Sequence, residues 1–260
     1  MSTLNTILDL AAYPIDDQDF RAECRNTLAR TGALVLPGFM KPEAVEQVKQ
    51  EGLEKQHQAY YTAKQHNVYL AESDPAFGED HPRNQKVTSS KGCITDDVIG
   101  EDSPLRIMYN AEAFRDFLGD VLEEELYEYA DPLSSINLHY ASEGQELGWH
   151  FDNSSFATTL LIQKPAGGGV FEYVENMRDA DRGEMNYEGV ERVLKGEVEV
   201  KQLSMEPGAL VLFRGRNAIH RVTPTQGDIT RMLVVLAYNN QPNVALSETA
   251  RMTFYGRLTA

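Results

Sequence analysis

From Ser134 onward the chain is a succession of short β-rich runs, and this texture constrains the fold more than any other feature. The runs are SSINLHY, SFATTLLIQ, GGVFEYVE, VEVKQL, GALVLFRG, AIHRVTP and RMLVVLAYN, separated by Gly, Pro, Asn and acidic residues. Many short strands punctuated by turn signals predict an antiparallel sandwich or barrel. The charged, partly helical stretch 176–196 interrupts the series and reads as an insertion or a lid.

The first half has a different texture. Gly32 and Pro37 bracket the apolar run Ala33–Leu36, which predicts a short strand. Pro42 suits a first helical turn, Glu43 complements the dipole, and Ala44, Val45 and Val48 begin an apolar stripe, so a helix is expected over about 42–61. Residues 71–104, rich in Pro, Gly, Asp, Ser and Asn, read as long loops. A second helix is expected over 111–127, with Phe114, Phe117, Leu118, Val121 and Leu122 on one face. The fold class is therefore mainly β with supporting helices (α+β). Helical support is expected over about 1–133, a β core over about 134–240 and a C-terminal segment over 241–260. No composition break marks a linker, so 1–260 is expected to form one domain.

Charge limits the partners. The 260 residues carry 40 acidic and 24 basic side chains, a net charge of −16. That balance argues against a nucleic-acid backbone or an anionic membrane as partner. A hydrophobic content of 42% is enough for a core. Cys24 and Cys93 are too few for a disulfide framework. The N-terminus has no basic n-region followed by an apolar h-region, and no stretch approaches the roughly 20 apolar residues of a spanning helix. The expectation is a cytoplasmic protein with reduced thiols; a homo-oligomer is compatible with the sequence.

The chemistry concentrates in three side chains. In GWHFDNSS, His150 and Asp152 stand two apart, so on a strand they project to one face. His220 follows in RGRNAIHRVTP, at the end of another expected strand. Two imidazoles and one carboxylate form the facial triad of non-heme Fe(II) oxygenases, which leaves coordination sites open for co-substrate and oxygen. Isolated HxD tripeptides also occur by chance. Arg231, on the next strand, adds weight, because a guanidinium at that depth is costly to bury without an anion and pairs well with a carboxylate. Taken alone, Arg231 also reads as an ordinary arginine on an edge strand.

HFD, then PGALVLFRGRNAIHRVTP, then Arg231, resembles the Fe(II)/2-oxoglutarate-dependent dioxygenases over roughly 134–240. The resemblance implies a double-stranded β-helix, or jelly roll, with Fe(II), 2-oxoglutarate as co-substrate, and O2. It implies that His150, Asp152 and His220 are the catalytic iron ligands and that Arg231 binds the far carboxylate of 2-oxoglutarate. Tyr140 matches a tyrosine that contacts the co-substrate in prolyl-hydroxylase-like members, although its bland role is a core aromatic. More narrowly, INLHYASEGQELGWHFDNSSFATTLLIQ and RMTFYGR resemble the group of free-amino-acid radical halogenases and their hydroxylase relatives, including lysine-acting ones. In the halogenases a glycine replaces the iron-binding carboxylate and chloride takes its place. Here Asp152 holds that position, so the resemblance implies hydroxylation of an aliphatic C–H in a small, amino-acid-like substrate, with release of succinate and CO2. Leu147 and Asn153 stand where lysine-acting members have polar or acidic partners. A peptide hydroxylase of the prolyl type and a non-redox cupin-like metal protein are the alternatives.

Several further residues are weighed against plain structural roles. Phe254 and Tyr255 match an aromatic pair near substrate in that group. Asn153 and Ser155 follow the metal motif and are candidates for the pocket lining. Arg83 and Lys86 sit in the long loop, where a cation can hold a substrate carboxylate or simply be solvated. Trp149 alternates with His150 and reads as core. His139 alternates with Tyr140, so only one of the two faces the site, and Tyr140 is favoured. Arg214 and Arg216 read as surface charges, and Gly167–Gly169 as a turn, not a phosphate loop.

Overall fold

The computed structural model describes residues 3–260. In chain order its elements are α1 Thr3–Ile7, α2 Gln18–Thr31, β1 Ala33–Leu36, α3 Pro42–Lys55, β2 Tyr60–Asn67, β3 Lys86–Ile94, α4 Pro104–Tyr109, α5 Glu112–Leu122, β4 Ile136–Ala141, β5 Leu147–His150, β6 Ala157–Gln163, β7 Gly167–Gly168, β8 Phe171–Val174, α6 Tyr187–Leu194, β9 Lys201–Leu203, β10 Leu210–Phe213, β11 Ile219–Val222, β12 Thr225–Gln226, β13 Arg231–Leu236 and α7 Glu248–Tyr255. Strands β1, β10, β6, β13, β4 and β3 lie side by side in that order. At β3 the sheet passes on to β5, β11, β8 and β9, and β2 pairs with β3 on its own. The curled antiparallel sheet is a jelly roll, so the mainly β expectation holds.

Helices α1 to α5 cover one outer face. Leu138, Tyr140, Leu160, Ile162, Leu210, Leu212, Met232 and Val234 point into that layer and join Val48, Phe114, Phe117, Leu118 and Val121 in the largest apolar cluster. The expected stripe on α5 is wholly buried. Helix α2 ends on Gly32, whose φ of 69° needs no Cβ penalty, and β1 starts at the next residue. Helix α3 approaches the sheet at Gly52, where a Cβ would lie 2.7 Å from the Leu138 side chain.

Three expected boundaries change. Helix α3 stops at Lys55, a 3-10 turn takes Gln56–Gln58, and Tyr60 already opens β2. The run Tyr60, Tyr61, Thr62 favours a pleated surface over a helix. The second helix spans Glu112–Leu122, ended by Glu123 in the left-handed region at φ 60°. The region read as loops contains β3, nine residues long, eight of which pair with β2 from Tyr60↔Cys93 to Asn67↔Lys86. Both cysteines are free and buried. Among the described residues, no helix is long and apolar enough to cross a membrane.

Candidate metal and co-substrate site

The two histidines are cross-strand partners. His150 on β5 pairs in register with His220 on β11, and their ring centroids lie 4.1 Å apart. His150 Nδ1 donates to the Gly148 carbonyl at 2.8 Å and His220 Nδ1 donates to the Ala218 carbonyl at 2.9 Å. A carbonyl can only accept, so these bonds place the proton on Nδ1 and leave each Nε2 lone pair free for a metal. Burial drives the His150 pKa down to about 3, with the neighbouring His220 adding to the effect, which keeps that imidazole neutral as a ligand must be.

Asp152 follows β5, its amide donating to the Gly215 carbonyl at 3.1 Å. Its Oδ1 lies 3.7 Å from His150 Nε2 and 3.5 Å from His220 Nε2, and its buried Oδ2 has no hydrogen-bond partner. Among the described residues these three form the group whose ligand atoms all lie within 4.8 Å of one another. Such separations fit three ligands on one ion with bonds of about 2.1 Å. The orphaned Oδ2 and the two aimed Nε2 atoms are what Fe(II) would satisfy, so the residues present fit the metal. Glycine at 215 is required by close approach, because a Cβ there would lie 1.9 Å from Asp152 Oδ2. Gly215→Ala is therefore expected to push the carboxylate out of place and weaken Fe(II) binding by about 10- to 100-fold, in the range for disturbed ligand orientation, as measured by metal titration.

Opposite this wall stands Arg231. Parity along β13 puts Arg231 and Leu233 on the inner face, away from Met232 and Val234 in the helix layer. Phe213, likewise on the inner face of β10, has its ring 5.0 Å from that of His220, so triad and inner face share one interior. Arg231 is 6% exposed, and burial lowers its pKa to about 10, so it remains charged at neutral pH. No carboxylate is paired with it among the described residues. Its stem runs against Gly169, where a Cβ would lie 2.9 Å from Cδ. The glycine run read only as a turn thus also makes room for this arginine.

Strand parity corrects the choice between His139 and Tyr140. Tyr140 is fully buried in the helix layer and its hydroxyl donates to the Gly52 carbonyl at 2.7 Å, so it does not reach the co-substrate. His139 faces the interior, with both ring nitrogens 3.2 Å from Lys91 Nζ, and desolvation followed by the charges of Lys91 and Arg231 holds its pKa well below the ordinary value. Tyr140→Phe is expected to cost about 1 kcal/mol in urea unfolding, the typical net value of one hydrogen bond, and to leave 2-oxoglutarate affinity unchanged.

The remaining candidates divide. Tyr255 is buried and donates to Asn137 Oδ1 at 2.8 Å, and Phe254 lies with its ring 5.8 Å from Lys91 Nζ. Ser155 Oγ donates to Glu124 Oε1 at 2.8 Å, which turns it toward the helix layer. The Asn153 side chain is exposed, and the residue's backbone carbonyl accepts from Arg216 Nη1 at 3.1 Å. Arg216 also pairs with Asp181 at 2.8 Å, so it tethers the 176–196 insertion to the metal loop and is more than a surface charge. Arg83 lies over Tyr69 at 5.9 Å with a buried, unpartnered Nη1, whereas Lys86 donates to Ser73 Oγ at 3.1 Å. Trp149 joins the cluster of Tyr69, Phe151 and Val190 behind the site.

Sequence reasoning passed over Arg178, whose Nε donates to the Arg216 carbonyl at 2.8 Å and whose guanidinium lies 4.1 Å from the Phe151 ring centroid. Its sole signal was its place in the charged insertion. The insertion and the 71–85 loop also touch: Phe77 stacks on His81 at 4.3 Å, and Tyr187 of α6 meets both rings edge-on at 5.3 and 4.9 Å. The 71–85 loop and the 176–196 insertion therefore pack on each other.

A family model described as Halogenase D matches residues 15–254. No curated protein matches the chain. Among solved structures, the epimerase SnoN in complex with Fe3+, alpha ketoglutarate and nogalamycin RO is similar at TM-score 0.59 and 12% identity, over 86% of this chain and 85% of that one. A 2OG-Fe(II) oxygenase family oxidoreductase from Burkholderia pseudomallei gives 0.54 and 12%, over 86% and 92%. A Pseudomonas putida prolyl-4-hydroxylase gives 0.53 and 13%, over 83% and 96%. These likenesses establish the fold of the 2-oxoglutarate-dependent oxygenases; at such identities they do not carry a substrate across.

Proposed function

We propose, from the premise that the chain belongs to the Halogenase D family, that it is an Fe(II)- and 2-oxoglutarate-dependent oxygenase hydroxylating an aliphatic C–H of a small, amino-acid-like substrate. One observation carries the reading: a single interior holds a His–Asp–His site on one wall and a buried guanidinium without an anion on the other. A non-redox metal protein has no use for the second feature. Asp152 decides the outcome within the family reading, because a carboxylate in that position excludes the halide a halogenase requires.

His150, Asp152 and His220 would hold Fe(II), and Arg231 would pair with the far carboxylate of 2-oxoglutarate. Together these groups supply the oxidising chemistry, in which O2 is consumed, 2-oxoglutarate becomes succinate and CO2, and one oxygen atom enters the substrate. The chain's own work is orientation and exclusion. The Gly148 and Ala218 carbonyls fix both imidazoles. Gly215 gives the carboxylate its space. The joined cover of the 71–85 loop and the insertion closes over the metal loop and limits water. Arg83, Phe254 and Tyr255 are assigned to the substrate side, Asn153 to the loop beside the metal.

Under argon, Fe(II) plus 2-oxoglutarate is expected to give a visible charge-transfer band in the wild-type protein. Absence of the band with both components bound removes the cofactor assignment. A succinate-release screen over free amino acids and derivatives, with mass spectrometry of the product, then separates a small-substrate hydroxylase from a peptide hydroxylase.

A further inference from the structure

Resting on that oxygenase reading, we infer that Lys91 is the receptor for a carboxylate of the primary substrate, which is therefore a small carboxylic acid. Lys91 stands two residues before Cys93 on β3, and Cys93 is opposite His139, which is opposite Leu233, two residues after Arg231. Lys91 and Arg231 thus share the inner face, two strands and about 10 Å apart at the backbone. Each is a cation set in the interior, and they are separate.

The surroundings of Lys91 do not neutralise it. Its Nζ contacts the neutral His139 ring at 3.2 Å and lies 5.8 Å from the centre of the Phe254 ring. No carboxylate pairs with it among the described residues. An imidazole offers one acceptor and an ammonium three donors, so donors remain unmet. Desolvation lowers its pKa below the ordinary lysine value, the expected cost of a cation removed from water with no partner. In the loaded site, Asp152 and the near carboxylate of 2-oxoglutarate balance Fe(II), and the far carboxylate balances Arg231. Of the two cations on this inner face, Lys91 then stays uncompensated, and one further carboxylate would balance it. Phe254 is 43% exposed, so an acid entering beside it reaches Lys91 along an apolar wall.

The test uses the wild-type protein, Lys91→Met, Lys91→Arg and Arg83→Met, each loaded with Fe(II) and 2-oxoglutarate under argon. The probes are the free L-amino acids and their carboxamides, read by perturbation of the charge-transfer band and then by succinate release in air. Wild type is expected to bind at least one acid about tenfold or more tightly than its amide, a difference of about 1.4 kcal/mol. Lys91→Met is expected to lose that preference, Lys91→Arg to keep part of it, and Arg83→Met, the rival cation on the substrate side, to weaken acid and amide alike. Affinity for 2-oxoglutarate should change less than about threefold in Lys91→Met, and the melting temperature of its metal-free form should not fall, because an unpaired buried charge has been removed. Acid and amide binding alike in wild type overturns the proposal. So does a panel in which no acid perturbs the band, a preference that survives Lys91→Met, a preference lost only in Arg83→Met, or a tenfold loss of 2-oxoglutarate affinity in Lys91→Met. In each of these results a surviving band leaves the oxygenase reading standing, whereas loss of the band in wild type removes that reading itself.

Discussion

Asp152→Ala is expected to weaken Fe(II) binding by at least about a hundredfold and to bring hydroxylation down to background, since even the groups that merely orient ligands are worth 10- to 100-fold. The carboxylate sits 3.5–3.7 Å from both histidine Nε2 atoms, and its Oδ2 is buried with nothing else to bind. Its loss removes a ligand and leaves no structural bond broken, so the metal-free melting temperature should not drop. Metal titration with parallel thermal unfolding separates ligand loss from misfolding, and unchanged hydroxylation takes Asp152 off the ligand set. Asp152→Gly is the sharper companion. It opens the coordination position that the resemblance to the radical halogenases assigns to halide. With added chloride, any chlorinated product detected by mass spectrometry marks the carboxylate as what commits this chain to hydroxylation. Gly215 also stands beside the opened position and leaves it uncrowded.

Arg231→Met is expected to reduce 2-oxoglutarate affinity by about two to three orders of magnitude, which corresponds to the 2–5 kcal/mol lost when one partner of a buried charge pair is truncated. The same change is expected to raise the melting temperature of the ligand-free protein. The guanidinium is 6% exposed, its pKa is pulled down to about 10 by burial alone, and no acid offsets it. Methionine follows the aliphatic stem past Gly169 while removing the uncompensated charge. Affinity measured through the charge-transfer band and stability measured by calorimetry should therefore move in opposite directions. A variant that loses stability without losing affinity shows Arg231 to be a structural arginine.

The site was legible where its geometry is local. His150 and Asp152 lie two apart, and strand periodicity alone puts them together. His220 and Arg231 were legible because each lies in a short β-rich run bounded by turns, one run after the other. The pair β2 and β3 was not legible. Lys64, His66, Lys86, Ser89 and Lys91 interrupt the apolar alternation that marks a strand. They do so because part of this hairpin lines a polar interior and not an apolar core. Lys91 was passed over for the same reason.

The sequence by itself determined the β-rich texture and the His150–Asp152 pair, and its resemblance to the 2-oxoglutarate-dependent dioxygenases singled out His220 and Arg231. The texture and the pair follow from residue type and from a spacing shorter than a strand. Only the tertiary structure decided which face of β4 turns inward. Tyr140 and His139 are equally placed by alternation, and the choice falls to whatever packs on the outer face. Helix α3 comes close enough at Gly52 to take the Tyr140 hydroxyl, and that contact, made between residues 88 positions apart, turns His139 toward Lys91 and Arg231.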